Sequence, residues 1–265
     1  MEKKDIASYT LQELEDEMKA IGEKPFRAKQ IYEWIHVKLV ESFDEMTNVS
    51  KALREKLDRE YEIATVSLVE RQISGIDGTN KFLFELSDGN MIESVLMKYK
   101  HGNSICISSQ VGCRMGCRFC ASTIGGLVRN LTASEMLREV YEVQKISGER
   151  ISNIVVMGTG EPLDNYENFV RFIRMVSDGH GLHISQRNIT ASTCGIVPNI
   201  RRLADEKFQI TLALSLHGSN QEKLKSLMPV ANKYELSEVL EACDEYFEKT
   251  GRRITFEYSL VHGVN

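Results

Sequence analysis

Three cysteines, Cys113, Cys117 and Cys120, lie within eight residues near the middle of this 265-residue chain. They directly follow a strand-like run at 104–108. Three thiolates at this spacing suit a 4Fe–4S cluster, which normally takes four ligands. Because the motif supplies three, one iron stays open, and an open coordination position is where a metal centre does chemistry. The motif therefore predicts a reactive iron–sulfur cluster.

The same cysteines allow two other interpretations. Their positions follow an i, i+4, i+7 pattern, so they could line one face of a buried helix. The interspersed Gly112, Gly116, Arg114 and Arg118 favour a loop instead. A zinc site would need a fourth ligand at short spacing, and no nearby His or Cys completes such a pattern. The spacing is typical of radical S-adenosylmethionine (SAM) enzymes, in which the open iron binds the amino and carboxylate groups of SAM.

Composition predicts a cytoplasmic protein that does not associate with membranes. Six cysteines, half of them clustered, indicate a metal site in a reducing compartment rather than disulfides. The chain has no apolar run of membrane-spanning length and no signal-peptide pattern. Its net charge of −5 does not by itself indicate nucleic-acid binding. Basic residues do gather locally, although such groups usually form a solvated surface. They are Arg27, Lys29, Lys38, Lys51, Arg54, Lys56, Arg114, Arg118 and Arg129.

The first hundred residues show two different hydrophobic periods. Apolar residues at helical spacing predict helices on either side of Gly22 and Pro25, and Ser50 is a candidate N-cap for a third. From about 62 to 100 the apolar residues alternate, with a turn at Asp88 and Gly89. The predicted domains are a helical module at 1–60, a small antiparallel β linker element at 61–100, and a third domain at 101–265.

The third domain alternates strand and helix patterns. The predicted strands lie at 103–108, 153–157, 188–193, 209–215 and 254–260. Strands joined by long helical crossovers predict an α/β fold with a parallel sheet, either open or a partial TIM-like barrel. In such folds the chemistry lies beyond the carboxyl ends of the strands.

Candidate site residues follow the predicted strands at that edge. Gly160 and Glu161 follow the second strand, Ser192 ends the third, and Ser215 and His217 end the fourth. A glycine lets the backbone approach a ligand closely, and a carboxylate accepts hydrogen bonds from an ammonium group. Each motif alone is also common at turns and strand ends. Because these motifs and the cysteine loop all lie at the same predicted edge of the sheet, we expect them to form one site.

Taken together and in this order, the motifs resemble the radical SAM adenosine methyltransferases of the RlmN/Cfr type. The matching segments, spread over essentially the whole chain, are Lys24–Ile31, Cys106–Cys120, Met157–Pro162, Ser192–Gly195 and Leu214–His217. RlmN-like members methylate C2 of an adenosine in 23S rRNA and in tRNA, whereas Cfr-like members methylate C8 of the rRNA base. The resemblance implies a radical SAM barrel with five of six strands present and an RNA-binding N-terminal module. It also implies 23S rRNA and tRNA as partners and an electron donor such as flavodoxin or ferredoxin.

The resemblance also implies roles for the site residues toward two cofactors, a 4Fe–4S cluster and SAM. The three clustered cysteines would hold the iron. The SAM-binding residues would be Gly160 and Glu161 at the methionine amino end, Ser192 at the ribose side, and Ser215, Leu216 and His217 around the rest.

Two further residues match catalytic positions of the family. Glu93 matches an acidic residue beside the target base that acts as a proton acceptor. Cys106 matches a cysteine that helps to resolve a covalent RNA–protein intermediate. Adenine C2 is not nucleophilic, so the family uses a radical route in which a methyl group is first placed on another cysteine. Without the resemblance, Cys106 would be interpreted as a buried strand cysteine. Cys194 and Cys243 match no motif of the family, so they are interpreted as buried cysteines.

The C-terminal part of the family pattern has no counterpart in residues 1–265. The family carries its methyl-accepting cysteine after a sixth strand, and this sequence stops at Asn265, after the fifth predicted one. We expect residues 1–265 alone to cleave SAM slowly but not to methylate RNA, because no thiol is placed to carry the methyl group. C2 methylation is the favoured function. The alternatives are a Cfr-like C8 activity and a non-catalytic RNA-binding iron–sulfur protein.

Overall fold

The structure is a computed structural model that describes residues 3–265, and its largest element is one eight-stranded sheet. The strands are β1 (Lys4–Asp5), β2 (Tyr61–Glu62), β3 (Val66–Ile73), β4 (Asn80–Leu86), β5 (Met91–Tyr99), β6 (Gly102–Ile107), β7 (Gln110–Gly112), β8 (Leu127–Asn130), β9 (Ile151–Val156), β10 (Ile189–Thr193), β11 (Thr211–Ser215) and β12 (Ile254–Glu257). The helices are α1 (Leu11–Ala20), α2 (Phe26–His36), α3 (Lys51–Glu60), α4 (Ala133–Ser147), α5 (Tyr166–Val176), α6 (Val197–Asp205), α7 (Gln221–Leu227) and α8 (Leu236–Thr250). None of these helices is both long enough and apolar enough to cross a membrane.

Five neighbouring strands of the large sheet are parallel, in the order β12-β11-β10-β9-β6. Helices α4, α5, α6 and α8 lie in the connections between them, as the alternating pattern predicts. Apolar side chains on one sheet face, such as Ile105, Ile154 and Leu212, are fully buried beneath these helices. The α/β class and the partial barrel are confirmed.

Three antiparallel strands, β3, β4 and β5, extend the same sheet beyond β6. Phe82 and Phe84 are fully buried on one face of β4, as their alternation predicts. The pairing of β5 with β6, with Leu96 opposite Ile105, joins this region to the parallel half. The strands expected to form a small linking element are thus continuous with the main sheet.

The N-terminal helices begin where the sequence predicts. Thr10 and Glu13 form a reciprocal capping box on α1, α2 starts directly after Pro25, and the Ser50 hydroxyl caps α3. Such caps satisfy backbone N–H groups that have no partner within the helix. The residues at the starts of α1, α2 and α3 are therefore consistent with the observed helices.

The N-terminal helices pack against α4 through a buried polar contact. The guanidinium group of Arg138, 1% exposed, donates to the Val40 carbonyl at 2.6 Å. The Nδ1 atom of His36 lies 2.8 Å from the Tyr141 hydroxyl. Burial, helped by the charge of Arg138, lowers the pKa of His36 to about 3, so its ring is neutral in this interface.

The ribbon formed by β7 and β8 supports both ends of the cysteine loop. Gly112 ends β7 with a φ of +73°, in the left-handed region that favours glycine. A Cβ atom there would lie 1.9 Å from the carbonyl oxygen of Gly126. The backbone can therefore close the ribbon only if residue 112 lacks a side chain.

We expect Gly112→Ala to lower the free energy of unfolding by about 2 kcal/mol or more, because it adds a backbone clash to an unfavourable φ. Thermal and denaturant unfolding measure this change. Gly125→Ala is the matched control, since a Cβ atom at Gly125 meets nothing within 4 Å. Equal stability of the two variants would contradict the close-packing argument.

Candidate active site

A cavity of about 140 Å³ lies at the carboxyl edge of the parallel strands, where the sequence predicts the site. Most of the predicted residues line it: Cys113, Cys117, Cys120, Gly160, Glu161, Ser192, Ser215 and His217. Leu216, Glu93 and Cys106 lie outside its wall. The structure therefore brings the cysteine loop and the SAM-type motifs of three strands to one place.

The cysteine loop is a turn structure rather than a helix. The Cys120 amide donates to the Cys117 carbonyl at 3.1 Å, and the Arg118 amide donates to the Leu227 carbonyl at 2.9 Å. Among residues 3–265, no three Cys, His, Asp or Glu side chains are close enough together to hold one metal ion. The three cysteines line the same cavity, and in a four-iron cluster each ligand binds a different iron atom.

The chemistry of these thiols fits an iron cluster. Burial, followed by the nearby Cys113 and Cys120, raises the pKa of Cys117 to about 12, and burial also raises the pKa of Cys113. Metal ligation requires the thiolate form, so a bound cation must supply the charge that stabilises it. Two buried thiols and the half-buried Cys120, at a wall with no Lys or Arg among the described residues, are therefore suited to a cationic iron centre.

A seam of hydrogen bonds joins the chain after β6 to the chain after β9. The amides of Ser109 and Gln110 both donate to the Thr159 carbonyl, at 2.8 and 3.1 Å. The Glu161 amide donates to the Gln110 side-chain oxygen at 2.9 Å. At Gly160, with a φ of +110°, a Cβ atom would lie 2.7 Å from Gln110. The seam holds the start of the cysteine loop against the Gly-Glu motif.

Glu161 presents a buried carboxylate to the cavity and is 4% exposed. Its two oxygens accept from the amides of Leu163 and Cys194, at 3.0 and 2.8 Å. Burial raises the pKa of Glu161, and these hydrogen bonds oppose that rise. A carboxylate held in this way can bind the ammonium group of an amino acid through its remaining lone pairs.

The other strand ends supply neutral polar groups. Ser192 donates to the Val156 carbonyl at 3.4 Å, and Ser215 donates to Glu257 on β12 at 3.2 Å. His217 has a φ of +48°, and its Nδ1 accepts from the Ser259 amide at 3.1 Å. Burial lowers the pKa of His217, so a neutral imidazole edge faces the cavity, with Phe119 packed against it at 4.9 Å.

Sequence reasoning missed Cys194 as part of the site. It lines the main cavity and also a smaller one of about 20 Å³, where Leu216 lies. Burial, with the nearby charge of Glu161, raises its pKa well above the ordinary value. Its position directly after Ser192-Thr193 could have indicated this location. The sequence predicts Cys194 only as a buried strand cysteine; it follows β10 directly and lines the cavity, whereas Cys243 is buried on α8.

Cys106 and Glu93 lie outside the cavity wall, on the sheet face opposite α4, and Glu93 lines a separate cavity of about 50 Å³. The β5–β6 register places Val95 opposite Cys106, so Glu93, two residues before Val95, shares that face. Glu93 is 48% exposed and forms a 2.6 Å ion pair with Lys81. Burial and the charge of Glu139 raise the pKa of Cys106 to about 11.

Comparison with known proteins agrees with this geometry. The family model of the radical SAM superfamily matches residues 107–265, and the model described as "Ribosomal RNA large subunit methyltransferase N-terminal domain" matches residues 4–63. A crystal structure of a radical SAM methyltransferase from Sphaerobacter thermophilus aligns with a TM-score of 0.91 and 42% identity. The alignment covers 99% of this chain and 78% of that one. The fold and the site thus define a radical SAM enzyme.

Sequence relatives give the particular family. The chain is 69% identical over its whole length to a protein of Lachnoclostridium phytofermentans named "Probable dual-specificity RNA methyltransferase RlmN", and covers 74% of it. It is 61% identical to a protein of the same name from Lachnospira eligens, with 98% of this chain and 75% of that one aligned. The chain belongs to the RlmN family, whose radical SAM chemistry uses a 4Fe–4S cluster and SAM.

Anaerobic reconstitution should load about four iron atoms per chain. Serine at position 113, 117 or 120 should abolish loading, because the hydroxyl is a poor ligand for iron in place of a thiolate. Cys243→Ser is the matched control, since that buried cysteine lies on α8 away from the cavity. Iron content and the visible absorption of the cluster measure loading. Unchanged iron in Cys117→Ser would contradict the assignment.

The Cys106 thiol should react with iodoacetamide about 100-fold more slowly at pH 8 than a thiol of ordinary pKa, from its thiolate fraction alone. Its pKa is raised, so the protonated form persists until the pH approaches about 11. The alkylation rate should therefore still be rising at pH 10. Peptide mass spectrometry at each pH measures this rate. A plateau below pH 9 would show that the thiol ionises normally.

Proposed function

We propose that this chain carries the radical SAM core of an enzyme that methylates C2 of adenosine in 23S rRNA and tRNA. The observation that carries the proposal is the shared cavity, in which three cysteine thiols meet the Glu161 carboxylate and the polar ends of β10 and β11. The relatives named as dual-specificity RNA methyltransferases support the RNA substrates. In this proposal, residues 1–60 form the RNA-binding helical module, residues 61–100 the antiparallel linker element, and residues 101–265 the radical SAM barrel.

Residues around the cavity would bind and orient the two cofactors. Cys113, Cys117 and Cys120 would hold the cluster, and Glu161, in the Gly160–Glu161 turn, would accept hydrogen bonds from the methionine ammonium of SAM. When bound, the cluster and SAM supply a 5′-deoxyadenosyl radical by reductive cleavage of SAM. The further residues proposed to contact SAM are Ser192 on the ribose side, and Ser215, Leu216 and His217 around the remainder.

Glu93 and Cys106 are suited to act on the RNA adduct rather than on SAM. Glu93 lies nearer the carboxyl edge than Cys106, because β5 runs antiparallel to β6. We propose that Glu93 accepts the ring proton of the target adenosine. Cys106, protonated at neutral pH because of its raised pKa, would supply the thiol group that resolves the covalent intermediate.

The N-terminal module is proposed to contact RNA phosphates through α2. Arg27 and Lys29 have no acidic partner within 4.0 Å among the described residues. Arg129, by contrast, forms ion pairs with Asp88 and Glu135, at 2.6 and 2.8 Å. Arg129 therefore contributes to holding the β4–β5 turn against α4, and the proposed RNA contact does not include it.

Reduction of the cluster requires an external electron, and we infer a small electron-transfer protein such as flavodoxin or ferredoxin as donor. We also infer a cytoplasmic location. The six cysteines are free thiols in the structure, which suits a reducing compartment.

Protein expressed from the whole gene that encodes this chain should form C2-methyladenosine in 23S rRNA and tRNA transcripts. Mass spectrometry of the digested RNA, with SAM, a reductant and anaerobic conditions, identifies the methylated atom. Glu93→Gln should reduce product formation by at least about 100-fold, as expected for loss of a general base. C8-methyladenosine would establish the Cfr-like alternative. SAM cleavage and RNA methylation both absent from iron-loaded protein would favour a non-catalytic RNA-binding protein.

The double variant Arg27→Glu/Lys29→Glu should bind RNA at least about tenfold more weakly, with a shallower dependence of affinity on salt. Fluorescence anisotropy at several salt concentrations measures both quantities. Lys51→Glu is the matched control, because Lys51 on α3 is already paired with Glu55 at 3.8 Å. SAM binding should not change in either protein. Equal RNA affinity of the double variant and the control would contradict the proposed contact.

A further inference from the structure

Glu139 is a buried acidic residue on α4 to which the proposed mechanism gives no part. It is fully buried, on the opposite side of the sheet from the cavity. One of its oxygens accepts from the Ser94 hydroxyl at 2.5 Å and from the Ser108 amide at 3.0 Å. Its other oxygen has no hydrogen-bond partner among the described residues. Burying such a group is costly, and an apolar side chain would avoid that cost.

The two donors of Glu139 belong to the strands that carry the proposed catalytic residues. Ser94 follows Glu93 on β5, and Ser108 lies two residues after Cys106, just past the end of β6. One oxygen of the Glu139 carboxyl group is thus hydrogen-bonded to Ser94 and Ser108, which lie close in sequence to Glu93 and Cys106. Glu139 itself is fully buried and does not line the cavity, so it does not contact the RNA base or SAM.

The contact lies where regular pairing of β5 with β6 stops. The last pair is Val95 with Cys106, and two positions further Glu93 and Ser108 would face each other. There the Ser108 hydroxyl donates to the Glu93 carbonyl at 2.9 Å and accepts from the Thr159 amide at 3.1 Å. The Ser108 amide is then directed to Glu139. Hydrogen bonds that involve side chains thus replace the backbone hydrogen bonds between β5 and β6 at the point where the chain leaves the sheet and enters the cysteine loop.

We propose that Glu139 is a positioning residue that fixes the ends of β5 and β6, so that Glu93 and Cys106 keep their relative places near the carboxyl edge of the sheet. The inference rests on the proposed function of those two residues. Glu139 needs to act only as a hydrogen-bond acceptor. Burial raises its pKa, and the protonated acid keeps an acceptor oxygen. A glutamine at position 139 also supplies one, whereas a methionine of similar length does not.

In the protein expressed from the whole gene that encodes this chain, Glu139→Met should uncouple SAM cleavage from RNA methylation. We expect hydrogen exchange of the Ser108 and Thr159 amides to quicken about tenfold or more. The Ser108 amide loses its acceptor, and the Ser108 hydroxyl that accepts from the Thr159 amide is held less firmly. The methyladenosine formed per 5′-deoxyadenosine released should fall by at least about fivefold, since small displacements of reacting groups are costly. Iron content and the Kd for SAM should stay within about twofold of the parent protein. Glu139→Gln should restore both exchange and coupling.

Glu142→Met, the same change one turn later on α4, is the matched control and should leave the coupling ratio unchanged. If Glu139→Met fails to fold, Ser94→Ala removes one donor without touching the helix and should shift the ratio in the same direction. Unchanged coupling in a folded Glu139→Met protein would overturn the inference. An equal loss of iron, SAM cleavage and methylation would also overturn it, by indicating a general structural role.

Glu93→Gln and Cys106→Ala in the same assay separate this inference from the proposed function. If neither variant reduces methylation, the proposed roles of Glu93 and Cys106 are wrong and no coupling defect can be attributed to their displacement. If both reduce it while Glu139→Met shows normal exchange and coupling, the proposed function stands and the positioning role of Glu139 is wrong.

Discussion

The hydrogen-bond seam between the chain after β6 and the chain after β9 determines where everything else in the site lies. Through it, the Thr159 carbonyl and the Gln110 side chain hold the cysteine loop and Glu161 in contact. The seam is possible because Gly158 and Gly160 have no side chain to keep the two segments apart. Parallel strands bring their carboxyl ends to one edge, but the seam sets the positions of the loops.

The cavity combines buried acidic groups with little positive charge. Its wall contains three clustered thiols, Cys194 and the Glu161 carboxyl, and no Lys or Arg among the residues that the structure describes. Burial favours the neutral forms of Cys113, Cys117, Cys194 and Glu161. Iron and the ammonium and sulfonium groups of SAM would supply the missing positive charge. The protein therefore selects cationic ligands by leaving these acidic groups without a cationic side chain.

Local patterns in the sequence predicted most elements, because each depends on neighbours within a few residues. The N-cap at Ser50, the turn at Asp88-Gly89 and the five parallel strands are examples. Long-range contacts were not predictable in this way. Periodicity does not show that β5 pairs with β6, that Arg129 meets Asp88, or that Cys194 reaches the cavity. The cysteine cluster was recognisable because its ligands are close together in sequence.

The joined sheet also has a consequence for how the chain folds. Strands β3 to β6 are linked by short connections and pair with sequence neighbours, so they can form early at small entropic cost. The parallel strands must each wait for a helical crossover before they pair. Strand β6 belongs to both groups, and it offers the first parallel strand, β9, an edge that is already ordered. The antiparallel region can therefore template the assembly of the barrel, and a defect there would delay formation of a site formed mainly by later residues.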